Sequence, residues 1–354
     1  MGRGHYDCRM TGEKRGRRRR TAVATIALGL AVLLAGCTGD GEAAAFAREF
    51  RDDPAVESME LTSHDNQPFT GGVRGDVVVR DTATDGSVSD LAGRIGDYTR
   101  ANADRMRGRV TLIVDGLKTE VTGDRTVDDA HLRLLLTLRS DDRVLGASIG
   151  DAAVGVYGAT AAVAIDLARD LPAVVERNTP GEEWFLSVRS EDGDVSLRGD
   201  SAVLGTGVRL WDALGSVVPL TGIRVEDTSR IEIALRHESG LPRARAAASD
   251  LALANDPEVV YASDLVRLGD SDGEDARLLL SRLDEGMRER VVYVWVSDTR
   301  MQVAVSNEDD LSALAGPIEA AIPARITEAS LVVDGAPDTS IDIRTTGAGQ
   351  EGSG

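Results

Sequence analysis

The chain of 354 residues is poor in several residue types, and each shortage excludes something. Aromatic residues make up 3%, too few for the stacking platforms that hold sugars or single-stranded nucleic acid. Lysine occurs twice, at Lys14 and Lys118, and Lys plus Arg number 40 against 59 Asp plus Glu, a formal charge of -19. The basic footprint of a nucleic-acid-binding protein is therefore missing, and no nucleic-acid partner is expected. The longest apolar segment considered, Thr21 to Ala35, has fifteen residues, short of the ~20 that a helix needs to cross a hydrocarbon core. The two cysteines are Cys8 and Cys37. Everything after Cys37 lacks thiols, so no disulfide and no thiol chemistry is available there, and stability must come from an apolar core. Apolar residues amount to 42%, enough to build one.

The N-terminus is the most specific segment. Arg15 to Arg20, interrupted only by Gly16, precedes the apolar stretch Thr21 to Ala35, which ends Leu34-Ala35-Gly36-Cys37. A basic region followed by a short apolar one is the layout of a secretory signal peptide. The small residues before Cys37 resemble the lipobox of bacterial lipoproteins of the high-GC Gram-positive type. That resemblance implies cleavage between Gly36 and Cys37 and a diacylglycerol thioether on the Cys37 sulfur. Two acyl chains hold a protein firmly at a bilayer, so the resemblance implies a partner in the plasma membrane and a place on its extracytoplasmic face. Residues 38–354 carry 32 basic and 57 acidic residues. Such a surface stays soluble, repels anionic lipid and attracts cations or basic partners.

Beyond the N-terminus an amphipathic helix followed by two β-rich runs recurs. Glu274 to Met287 puts Ala276, Leu279, Leu280, Leu283 and Met287 on one helical face, and Val291 to Val296 and Met301 to Val305 then alternate as strands. Upstream, Ser89 is expected to cap a helix carrying Leu91, Ala92, Ile95 and Tyr98, and Asp115-Gly116 to turn a hairpin. Thr126 opens another helix, whose tail Leu132, Leu134, Leu136, Leu138 also fits a strand. First strands fall near Val110, Val144, Trp184, Ile223, Val259, Val291 and Ala329, at spacings of 34, 40, 39, 36, 32 and 38 residues. Near-constant spacing of this kind points to a duplicated unit.

The fold class expected is therefore α+β: repeated αββ units pairing into two-layer sandwiches, with antiparallel sheets and helices on one face. The boundaries expected are a signal peptide at 1–36, the lipidated Cys37 with a tether over 37–45, and α+β modules at 46–158, 159–240 and 241–344. A Gly-rich disordered tail over 345–354 follows. The composition also resembles small envelope α+β domains such as the BON domain.

Catalytic patterns are absent from the sequence. His64, His131 and His237, the histidines beyond the N-terminal segment, form no H-E-x-x-H pair, and no G-x-x-x-x-G-K occurs. The run Asp270 to Asp275 has Asp275 where a calcium loop needs Gly at its sixth position and Ser281 where it needs Glu at its twelfth, and reads as a helix start, as do Asp124, Asp128 and Asp129. Two Arg-Gly-Asp tripeptides, Arg74 to Asp76 and Arg198 to Asp200, read as turns. Glu182 and Glu183, if in a strand, point to opposite faces and cannot flank one bond. Trp184, Trp211 and Trp295 are expected as core anchors. No catalytic residue, metal or cofactor is expected. The function expected is a membrane-anchored lipoprotein acting as a non-catalytic binding or scaffold module with an envelope protein partner. The alternative is a carrier with an apolar pocket, and after it a hydrolase using carboxylates.

Overall fold

In the computed structural model, residues 41–63, 73–103, 109–150, 152–226, 229–253 and 256–343 are described. Cys37, Gly36, His64 and the tail fall outside them. Eight helix–strand–strand units follow one another. The first three are α1 (Gly41–Phe50) with β1 (Val56–Ser63) and β2 (Val73–Val79), α2 (Asp85–Ala101) with β3 (Val110–Val114) and β4 (Leu117–Val121), and α3 (Arg125–Arg139) with β5 (Val144–Gly150) and β6 (Ala153–Gly158). Next come α4 (Ala161–Asn178) with β7 (Phe185–Ser190) and β8 (Val195–Gly199), and α5 (Ser201–Gly215) with β9 (Leu220–Val225) and β10 (Arg230–Leu235). The sixth unit is α6 (Leu241–Ser249) with β11 (Glu258–Ala262) and β12 (Val266–Leu268). The seventh has α7 (Glu274–Arg282), the single turn α8 (Glu285–Arg288), β13 (Val291–Ser297) and β14 (Arg300–Val305). The last is α9 (Glu308–Ala321) with β15 (Glu328–Val333) and β16 (Ala336–Ile343). The first unit was not anticipated, and α1 begins inside the stretch expected to be a tether.

Local chemistry explains the elements. Thr84, not Ser89, caps α2 by accepting from the Ser87 amide, and Asp124, not Thr126, caps α3 by accepting from the Thr126 and Val127 amides. The ambiguous leucine run is helical: Ala130, His131, Leu134, Leu135 and Leu138 form one buried stripe, a helical rather than a strand period. Asp115 and Gly116 both have positive φ, 51° and 85°, as a two-residue hairpin turn requires. Pro172 and Pro317 sit inside α4 and α9, which continue through them.

The strands form two sheets in strict chain order, β1 to β11 and β12 to β16. Within every unit but the sixth the strands pair antiparallel, and in the first sheet each unit joins the next by parallel pairing: β2 with β3, β4 with β5, β6 with β7, β8 with β9 and β10 with β11. The expectation of antiparallel sheets is corrected here. A strand entering after a helix that crosses back over the sheet runs the same way as the strand before it. Three helices of the first sheet cover such junctions, α3 lying on β4 and β5, α4 on β6 and β7, and α5 on β8 and β9. Neighbouring helices touch in sequence, so the helical layer lies on one face.

That layer and the inward strand residues make two cores. One runs from Ala43 to Tyr261 and the other from Val266 to Ile343. Fully buried side chains such as Leu112, Leu134, Leu197 and Leu204 each stabilise the fold by about 1.5–3 kcal/mol. The first sheet passes through residue 158 without interruption, because β6 and β7 pair along Ala153 to Gly158. It also continues beyond residue 240 to β11. The change of sheet comes instead in the sixth unit, whose hairpin is splayed: β11 pairs with β10, and β12 pairs with β13.

A polar joint spans this split. Arg277 of α7 donates to the Tyr261 carbonyl at 2.6 Å, to Glu238 at 2.8 Å and to the Asp272 carbonyl at 3.2 Å. Arg230 of β10 donates to the Ser271 carbonyl at 2.7 Å, and Arg245 pairs with Glu274. Burial pushes the Tyr261 hydroxyl above its usual range, against the opposing pull of Arg245.

Candidate interaction surface

Helices cover one face of the eleven-stranded sheet, and strand residues alternate between that core and the other face. Cross-strand register places the outward residues in rows. One row runs Lys118, Ser148, Gly155, Ser187, Arg198 from β4 to β8. The next runs Gly146, Tyr157, Arg189, Ser196, Arg224 from β5 to β9. The centre of this face is thus floored by glycine and serine, with Tyr157, Arg189 and Arg198 standing on it. Small residues here leave the backbone approachable, so another molecule can lie close and flat.

The charges on this face are not equivalent. Towards the edges they are paired, Arg109 with Glu120 at 2.8 Å and Arg224 with Glu232 at 3.8 Å. Arg189 and Arg198 differ, because the Nε of each is buried without a hydrogen-bond partner. Diagonal neighbours on adjacent strands stand ~7–8 Å apart, which puts two guanidinium groups within reach of one acidic segment. An arginine fork whose stem is held on the sheet is pre-oriented for carboxylate. Sequence reading missed these residues. The alternation of Arg, Ser and Gly opposite a Val/Leu face was visible in β7 and β8, but pairing order was needed to gather them.

A cleft of about 880 Å³ opens where β7 enters and β8 leaves the sheet, between α4 and the start of α5. Its walls include Pro172, Trp184 and Phe185, with Glu176, Glu182, Glu183 and Asp200 among the lining acids. Glu182 and Glu183 precede the strand rather than lying in it, so both face one cleft, contrary to the alternation argument. Both are exposed. Asp200 accepts from the Val203 amide at 2.9 Å and Glu176 from the Gly181 amide at 3.2 Å, so two of the four serve the backbone. Trp184 is buried edge-on to His131, with ring centroids 5.6 Å apart, and neither the indole Nε1 nor the His131 Nδ1 has a partner. Trp211 packs half-buried on the first core, whereas Trp295 alternates with buried Val294 and Val296 and faces away from the second core, a correction to its expected role.

The remaining sequence candidates have structural employment. Asp272 accepts from the Glu274 amide at 2.9 Å and Asp275 pairs with Arg325, so the Asp270 to Asp275 run starts α7. Asp128 accepts from the Thr122 and Gly123 amides at 2.7 and 2.9 Å, ordering the turn before α3. His237 lies 3.1 Å from Asp264 in the link between β10 and α6. Arg74 to Asp76 belong to β2, and Asp200 caps α5. Among the described residues no group of three or more His, Cys, Asp or Glu is placed to hold a metal ion, and no helix is long and apolar enough to cross a membrane. Comparison of the chain with protein-family models, with characterised proteins and with solved structures gave no match.

Proposed function

We propose that this chain is an exported lipoprotein, anchored through Cys37 at the extracytoplasmic face of the plasma membrane, that acts as a non-catalytic binding module for an envelope protein. The observation that carries the reading is the uncovered face of the eleven-stranded sheet, where the Nε atoms of Arg189 and Arg198 have no hydrogen-bond partner among the described residues and stand on a glycine–serine floor. A large flat face with fixed cationic forks suits recognition of a protein surface better than enclosure of a small molecule. The N-terminal residues Leu34 to Cys37 support the anchor.

Two measurements test this reading. Intact mass of the protein from native membranes should begin at Cys37 with a diacylglycerol adduct; an unmodified chain beginning elsewhere removes the anchor. A photo-crosslinking residue at Ser187 or Ser196 should capture one protein in stoichiometric yield in cells. Arg189→Ala/Arg198→Ala should reduce that yield about tenfold, as expected for loss of two charge-assisted contacts. The second reading, a carrier, is favoured by the 880 Å³ cleft beside Trp184 and Phe185. A small molecule released on denaturing the purified protein, with no crosslinked protein, would replace the first reading by that one.

A further inference from the structure

The repeat identifies a place where a strand is missing. At every internal junction the second strand of one unit runs parallel to the first strand of the next, and in the first sheet α3, α4 and α5 each straddle such a junction. Among the described residues, the first unit has its helix and its first strand but no preceding strand. α1 lies on β1 and β2, and β1 is an edge strand of the sheet among the described residues. Where the missing strand would lie, a groove of about 440 Å³ runs between α1 and β1. Ala43, Ala44 and Ala47 line its helical side, and Met59 and Leu61 its strand side. Small alanines facing larger apolar residues leave room for the inward side chains of an added strand.

Charge on the same edge specifies the outward side chains. Glu60 of β1 stands opposite Asp76 of β2, a like-charge cross-strand pair that is destabilising when nothing offsets it. Neither carboxylate has an ion-pair partner among the described residues. Glu57 is exposed at a bulge beside them. From Gly41 to Ser63 the chain carries six acidic residues and two arginines, Arg48 and Arg51. The last edge strand in the chain, β16 of the second sheet, bears Asp338 and Asp342, so a second copy pairing there would add negative charge to negative.

We propose that β1 accepts, in parallel, an extended segment of a partner protein whose residues alternate, apolar towards α1 and basic towards the uncovered face. Strand addition of this kind draws affinity from main-chain hydrogen bonds and selectivity from alternate side chains. The inference rests on reading the chain as a protein-binding module but names a surface separate from Arg189 and Arg198.

The test uses the full chain in detergent and two synthetic eight-residue peptides, one alternating lysine with valine and one alternating glutamate with valine. The lysine peptide should bind and slow hydrogen exchange at the amides of Val56 to Ser63. Glu57→Lys/Glu60→Lys should weaken it about tenfold at low salt and reverse the preference between the peptides. Ala44→Trp, at an exposed position, should abolish binding by filling the groove while leaving the melting temperature unchanged. Equal binding of the two peptides, no binding of the lysine peptide, protection centred on another strand, or self-association that protects β1 without peptide would each overturn the inference. The crosslink at Ser187 or Ser196 is read separately, so loss of the edge site leaves the binding-module reading standing, and loss of that crosslink does not rescue the edge.

Discussion

Replacing Arg277 by alanine asks how the two sheets are held together. The Arg277 side chain is 12% exposed and the Glu238 side chain 22%, so the pair is well shielded from solvent screening. Removing the guanidinium takes the ion-pair partner from the Glu238 carboxylate, which keeps only the Ser263 hydroxyl, and takes the Arg277 donor from the Tyr261 and Asp272 carbonyls. Losing a shielded ion pair and two further hydrogen bonds costs about 3 kcal/mol. The second core, from Val266 to Ile343, is the size of a small domain, and at about 0.05–0.15 kcal/mol per residue it holds only about 4–12 kcal/mol of its own. For a unit of that size each kcal/mol moves the melting temperature by about 4–8 °C. The second sheet of Arg277→Ala should therefore melt about 12–24 °C early and separately. Calorimetry counts the transitions, and hydrogen exchange at β13 and β14, compared with β3 and β4, assigns them. Arg277→Lys keeps the charge but not the fork, and should fall between. A single transition within about 2 °C of the parent, with exchange at β13 and β14 unchanged, would refute the joint.

Two further predictions concern local chemistry. A Cβ on Gly222 would sit 2.5 Å from the Asp194 carbonyl oxygen, the acceptor of the Ile223 amide where β9 joins β8. Gly222→Ala should cost about 1–3 kcal/mol, read as a lower urea midpoint, and an unchanged midpoint contradicts that contact. The Arg143 guanidinium holds the Asp141 carboxyl below its usual range. A depressed native value contributes stability above the unfolded value, near pH 4, and loses it as pH falls through the native one. Because both side chains are part-exposed, the difference between the parent and Asp141→Asn should be no more than about 1 kcal/mol at neutral pH. It should vanish towards pH 2; a difference that grows on acidification reverses the assignment.

Helix and strand identity was legible in the sequence wherever one face was apolar. The Leu91, Ala92, Ile95 stripe of α2, the Val/Leu alternation of β3 and the Asp115-Gly116 turn each act through neighbours within a few residues, whereas the α3 leucines fitted both periods. Pairing direction was not legible, because it depends on whether a helix crosses back over the sheet between strands. β7 reads the same whether its neighbour β6 runs with it or against it. The first unit escaped notice because α1 has only Phe46 and Phe50 as large apolar residues among its alanines and charges, and β1 interleaves Glu57 and Glu60 with Met59 and Leu61, leaving a weak period. The split at the sixth unit was likewise invisible, since β11 and β12 together resemble any other hairpin. The uncovered face follows from register alone: Arg189 and Arg198 are ordinary strand arginines until Ser187 and Ser196 are set beside them.

The strict chain order of the strands bears on how such a molecule is made. Each strand finds its partner in the segment just completed or the one just before it, so no pairing waits for a distant part of the chain. Contacts this local favour rapid folding, and units that touch only their neighbours let structure spread from one end. As the chain emerges N-terminus first, α1, β1 and β2 present a finished edge at β2 onto which the next unit adds. Later units meet the same kind of template, except that β12 leaves β11 as an edge and starts the second sheet, onto which β13 adds. Growth by accretion keeps only one raw strand edge waiting at the advancing front at any moment, which limits the exposure through which long sheet proteins aggregate.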